Sequence, residues 1–197
     1  MLENVLRNAK FLAPLLGAAL LALPGPAASP ASAQAEGGET FVGHLVDLGG
    51  TGASTSSRFE LHLDRYDGAD ELARLAALQD DKGTQALQDA LWERSAGYIR
   101  VDHALGYPVG LAFHLPADGG RRTIYAVMDR PIQLFEIWRG LRTRDYPFSV
   151  AELTVDAEGR GEGKLHAVAK VRISANRLVI EDYSAQPFRI LDVKPQE

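Results

Sequence analysis

The chain's most constraining feature is a period of two. Between Lys164 and Ile173, Leu165, Ala167, Ala169, Val171 and Ile173 stand against Lys164, His166, Val168, Lys170 and Arg172. Successive side chains of a strand point to opposite faces, so this pattern predicts a strand with one face in a core and the other in water. The same alternation sets Phe59, Leu61 and Leu63 against Glu60, His62 and Asp64.

Strand-like segments recur along most of the chain. Phe41–Asp47 and Arg58–Arg65 come first. Tyr98–His103, Pro108–Leu115, Arg122–Asp129, Ile132–Trp138, Phe148–Asp156, Lys164–Ser174, Arg177–Tyr183 and Phe188–Val193 follow. Turn formers separate them, among them Asp118-Gly119-Gly120, Arg130-Pro131, Glu158–Gly163 and Ala175-Asn176. Parallel strands need crossovers of a dozen or more residues, and these connectors are too short for that. The expectation is a mainly β (α+β) fold, an antiparallel meander of about ten strands. So many twisted strands curl, close or split. The meander is therefore expected as a barrel or strongly curved sheet, with a two-sheet sandwich as the alternative.

One stretch changes period. Leu72, Leu75, Ala76 and Leu78 recur at helical spacing, Asp80-Asp81-Lys82-Gly83 interrupts them, and Thr84 is placed to cap a second run carrying Leu87, Ala90 and Leu91. A helix pair over Ala69–Ala96, inserted after the second strand, is expected.

The N-terminus reads as a signal peptide over residues 1–33. Arg7 and Lys10 precede the apolar run Phe11–Leu23, and Ala31-Ser32-Ala33 supplies small side chains at the −3 and −1 positions. A membrane-spanning helix needs about 20 apolar residues, and this run is shorter and contains Pro14. Residues 34–40 are expected as a flexible lead and 41–195 as one globular domain. The expected location is the periplasm or the cell exterior, without stable membrane insertion after cleavage.

The chain has no cysteine, which excludes disulfides, thiolate metal sites and thiol nucleophiles, and no lipoprotein cysteine follows the apolar run. Its net charge of −5 argues against general nucleic-acid binding. Gly159-Arg160-Gly161-Glu162-Gly163 resembles a phosphate loop in composition, but a strand follows it where a phosphate cradle needs a helix. The serines of the loop Leu48–Ser57 lack the elbow pattern of a serine nucleophile. Among the five histidines, His44, His62 and Asp64 offer a conceivable sheet-borne metal site, but no helical His pair occurs. No catalytic residue, metal or cofactor is assigned.

The densest chemistry runs from Arg121 to Glu152. Arg130, Glu136, Trp138, Arg142, Tyr146 and Glu152 are the candidate ligand- or partner-binding residues. Arg, Trp and Tyr are favoured at binding hot spots. Glu136 and Glu152 are the pair an acid–base hydrolase would use, while ion pairing with neighbouring arginines is their bland role.

The segments Met128-Asp129-Arg130-Pro131-Ile132, Tyr146–Leu153, Gly161–Leu165 and Gln186–Ile190 resemble a group of exported bacterial proteins without an established activity. The resemblance covers roughly Gly97 to Val193. It implies export and a bacterial source, and it brings no catalytic residues with it. The function expected on these grounds is that of an exported, non-enzymatic β-domain holding a small apolar or amphipathic ligand inside its barrel. The alternatives are an envelope protein–protein interaction domain and a hydrolase.

Overall fold

The computed structural model describes residues 38–46, 56–132, 145–174, 177–182 and 186–196. The leader, the loop 47–55 and the segment 133–144 lie outside them, and with that segment go Glu136, Trp138, Arg142 and most of the expected strand Ile132–Trp138. The described elements are β1 (Glu39–Val46), β2 (Ser56–Leu63), α1 (Ala69–Trp92), β3 (Gly97–Val101), β4 (Tyr107–Val109), β5 (Leu111–Pro116), β6 (Arg122–Met128), β7 (Phe148–Val155), β8 (Gly161–Ser174), β9 (Arg177–Asp182) and β10 (Phe188–Pro195).

The strands form one antiparallel sheet in the order β4-β3-β2-β1-β10-β8-β7-β6-β5, with β9 pairing β8 as a side branch. The two ends of that order, β4 and β5, are consecutive in the chain and separated only by Gly110. The sheet therefore curls round to a nearly closed barrel, and the sandwich alternative is set aside. The expected single strand Pro108–Leu115 is two strands because the chain must bend at this seam. The Gly110 amide donates to Val127 O at 2.9 Å, and a Cβ on Gly110 would stand 2.6 Å from Leu91 O. Side chains fasten the seam further. Arg94 donates from Nε to Gly110 O at 2.9 Å, from Nη2 to Asp67 Oδ1 at 2.5 Å and from Nη1 to Glu71. Asp67 itself donates its amide to Ala112 O and accepts the Ala112 amide on Oδ2.

Two cores result. Inward side chains such as Phe41, Phe59, Leu61, Ile99, Ile124 and Met128 meet inside the barrel. Outside, Leu72, Leu75, Leu87 and Leu91 of α1 cover Phe113, Val127, Val150 and Val171 on the wall built by β5 to β8. Fully burying one such Leu or Phe stabilises the fold by roughly 1.5–3 kcal/mol.

The long alternation of β8 serves both cores, which corrects its reading as a single face. Phe148 pairs with Ala169 but Val150 pairs with His166, so two steps on β7 oppose three on β8. The extra residue of this β-bulge reverses the facing. Leu165 and Ala167 point into the barrel, whereas Ala169, Val171 and Ile173 face α1. His166 and Val168, expected on a wet face, are buried.

The expected helix pair is met only in part: two helical runs are present, but no loop separates them. Residues 80–82 stay helical and α1 is one element, bent only at Gly83, where φ is +83° and ψ −175°. The bend is sharp. Glu71 and Arg94 touch across it, whereas a straight helix would hold them roughly 35 Å apart.

β8 outlasts its barrel neighbours. β7 begins at Phe148, opposite Ala169, so on that side β8 has no strand partner from Val171 onward among the described residues. The buried amide of Gln79 takes the place of a strand. It donates to Val171 O at 2.7 Å and accepts the Ile173 amide at 3.0 Å. Replacing Gln79 by Leu leaves two buried backbone groups unpaired, each costing about 1–3 kcal/mol. Urea unfolding is expected to show a loss of roughly 2–4 kcal/mol, against under about 0.5 kcal/mol for Gln85→Leu on the exposed face. Equal costs for the two variants would refute the strand-surrogate role.

Candidate functional site

Three polar clusters stand out, and the described candidates, Tyr146 and Glu152 on one side and Arg130 on the other, divide between two of them. On the outer wall, Glu152 projects from β7 beside His166 of β8. The bulge that buries His166 also turns its ring toward the end of β9. His166 Nδ1 lies 2.8 Å from Asp182 Oδ1, and Nε2 lies 3.7 Å from Glu152 Oε2. The second distance is an ion-pair contact too long for a hydrogen bond, and Nε2 is buried without a hydrogen-bond partner. Next to Asp182, Glu181 accepts a hydrogen bond from Tyr146 Oη at 2.7 Å. Tyr146 thus meets Glu181, and Glu152 is linked to Asp182 through His166. Glu152 is paired with a histidine, and the arginine partner expected for it is replaced by His166.

The electrostatics follow from burial and charge. Burial alone would lower the pKa of His166, but the hydrogen bond to Asp182 and the negative charges of Asp182 and Glu152 outweigh it and raise it to about 9. Glu152 is held below the usual carboxylate range, first by His166 and against its own burial. Tyr125, opposite Glu152 on β6, is pushed up by burial and then by that carboxylate. A general acid at neutral pH needs a raised carboxyl pKa. Glu152 is shifted the other way, so it holds an imidazolium in place and has no proton to give.

A second cluster crosses the barrel mouth. Glu39, His114 and Arg122 share the inward parity of Phe41, Ala112 and Ile124. Arg122 Nη2 donates to Glu39 Oε1 at 2.7 Å, and Tyr66 Oη donates to the other carboxylate oxygen. β1 and β6 are separated by three strands in the ring, so this contact spans the opening. The Tyr66 ring packs edge-on to His114 with centroids 5.0 Å apart. Burial pushes the Tyr66 hydroxyl up, with Glu39 adding to it, and pushes His114 down, with Arg122 adding to it. Glu39, Tyr66 and Arg122 satisfy one another and close the end like a plug.

The third cluster pairs Arg130 with a residue outside the sequence-derived set. Its guanidinium stands 4.0 Å from the ring centroid of Trp92, at the end of α1, and Nη2 lies 3.1 Å from Asp129 Oδ2. Asp129 is buried, and its carbonyl accepts from Gln88 Nε2 at 2.8 Å. Trp92 remains 64% exposed. Position 92 follows the buried Leu91 directly and falls off the helical stripe. An aromatic one step off an apolar stripe is the only local signal that could have singled it out.

Two sequence-level possibilities receive a structural answer. Thr40 Oγ1, His62 and Asp64 form a hydrogen-bonded relay, at 2.7 Å and 3.1 Å. It lies on paired strands whose backbone amides are engaged in the ladder, so it has no oxyanion donors at hand. Among the described residues, no group of three His, Asp or Glu side chains is placed to hold a metal ion. The glycine-rich turn before β8 presents no free amide nest either, since Asp156 Oδ1 accepts from the amides of Glu158 and Arg160.

The chain matches no family model, no curated protein and no solved structure.

The His166 cluster has a defined pH signature. The folded pKa of His166 is raised above its ordinary 6.5. Its contribution is therefore fully present below about pH 6.5 and is lost as pH rises through about 9. Glu152 is depressed, so its contribution is present above its ordinary 4.5 and is lost as pH falls through its folded value. Urea unfolding of the wild type and His166→Gln across this range should give a stability difference that shrinks by on the order of 3 kcal/mol between pH 6 and 10. A difference independent of pH would mean that His166 is neutral in the fold.

Proposed function

We propose that this chain is an exported, non-enzymatic β-barrel domain that works by binding an envelope protein through its outer wall. The observation that carries the reading is the Trp92–Arg130 stack. A tryptophan 64% exposed contributes little to a core. Here it is held against a guanidinium that a buried carboxylate anchors in turn. Arg and Trp dominate binding hot spots when they are fixed before the partner arrives. The leader over residues 1–33 and the resemblance across Gly97–Val193 support export.

An apolar ligand inside the barrel has less support. The nine strands of the ring are close to the number at which side chains just fill a barrel, and the inward residues described here form one buried cluster. Three clefts lined by described residues open at the surface. The downward shift of Glu152 does not suit a general acid, and Glu136, the other carboxylate of the hydrolase reading, lies outside the described residues.

Two measurements test the proposal. Trp92→Ala should change folding stability by under about 1 kcal/mol, because an exposed cation–π pair contributes no more than that, whereas Arg130→Ala should cost more, because it also strands the buried Asp129 carboxylate. A photo-crosslinking residue at position 92 in the exported protein should capture an envelope protein. The same probe at exposed Arg121 should not, and Arg130→Ala should abolish the capture at 92. Native mass spectrometry supplies the contrary outcome. A bound small molecule that leaves only on denaturation would replace the surface reading with the interior-ligand one.

A further inference from the structure

We propose that β9 is a self-complementary edge strand through which two copies of this chain join their sheets. The nearly closed barrel gives most strands a partner on both sides. β9 lies outside that ring and pairs only with the projecting half of β8, from Ala169↔Asp182 to Ser174↔Arg177. Its other edge faces no described strand. An unpaired edge is a template for another strand, and folded proteins blunt it or use it.

The sequence of β9 fits its own antiparallel copy. Arg177, Val179 and Glu181 are exposed on one face, while Leu178 and Ile180 lie on the side of α1. Place a two-fold axis perpendicular to the sheet at Val179. Arg177 then stands opposite Glu181 of the second copy, Leu178 opposite Ile180, and Val179 opposite Val179. Both charge pairs are favourable and every apolar residue meets an apolar one. Shifting the axis by one residue in either direction places Glu181 beyond the paired segment or opposite Val179. Of these three registers, only the one centred on Val179 joins Arg177 to Glu181.

Two further observations fit the same occupant. Arg177 makes no ion pair within its own chain among the described residues. Val179 is 48% exposed, a large apolar side chain in water at the centre of the strand. The hydrogen bond from Tyr146 uses one oxygen of Glu181 and leaves acceptor capacity for an arginine. The contact is isologous, so pairing uses the free edge of β9 in both copies and assembly stops at two. This surface is distinct from the Trp92–Arg130 stack, and either can fail without the other.

The absence of native cysteine makes the test direct. Val179→Cys would be the only thiol, and directly opposed residues of an antiparallel pair have Cβ atoms about 4.5–5.5 Å apart. Mild oxidation should convert the variant to a disulfide-linked dimer. Arg172→Cys, exposed on β8 one strand further from the axis, should remain monomeric under the same conditions. Sedimentation of the unmodified protein should show a monomer–dimer equilibrium. Arg177→Glu should weaken it about tenfold or more, since two cross-strand pairs turn repulsive at once. Adding Glu181→Arg to that variant should restore it. Equal crosslinking of the two cysteine variants, or a double variant no stronger in association than Arg177→Glu, would overturn the proposal.

Discussion

A sheet that curls back on itself must provide partners for the backbone groups at its seam, and in this chain one arginine organises that junction. The Arg94 guanidinium holds the Gly110 carbonyl, Asp67 and Glu71 together. Asp67 in turn takes both backbone groups of Ala112, as a neighbouring strand would. A largely desolvated ion pair of this kind is weak evidence for net stability, but removing one member leaves a charge stranded. Its role here is geometric. It fixes where β4 becomes β5, and so fixes the circumference against which α1 packs.

The same logic accounts for the buried polar residues. Gln79, Asp129, Ser149 and His166 are the polar or charged residues buried among those described. Each sits where regular strand pairing is interrupted. Gln79 replaces a strand beside β8. Ser149 lies at the bulge, donating to Ala167 O at 2.6 Å and accepting the Ile132 amide at 3.0 Å. His166 lies on the other side of that bulge, and Asp129 follows the last residue of β6. A buried backbone group without a partner costs about as much as a lost hydrogen bond. Polar side chains are therefore expected at the breaks in a ladder, and these four need no catalytic explanation.

That division also explains what could be read in advance. The meander and its turns were legible because period-two alternation and turn chemistry are local. The β8 bulge was not, because it is a property of pairing with β7. Leu165 and Ile173 share a parity in the sequence and lie in different cores. Glu152 was legible as a candidate carboxylate, but His166 was assigned to the wet face of the unbulged strand, so the pair remained hidden. Arg130 was visible as a candidate, while Trp92 is remote in sequence and becomes its neighbour only when α1 folds back. The bend itself was legible at Gly83. That a single glycine would suffice, with residues 80–82 still helical, depends on α1 resting on the barrel wall.

The return of α1 to its point of departure has a topological consequence. β2 and β3 pair in register from Phe59↔Val101 to Leu63↔Gly97, and the Asp64 amide continues the ladder to Ala96 O at 2.9 Å. Seen from the barrel, everything between residues 65 and 95 occupies the place of a tight hairpin turn. The excursion enters and leaves through one gate, so its length is decoupled from the shear and strand number that shape the barrel. Such an arrangement lets the outer covering change in size or chemistry while the ring beneath it keeps the same register.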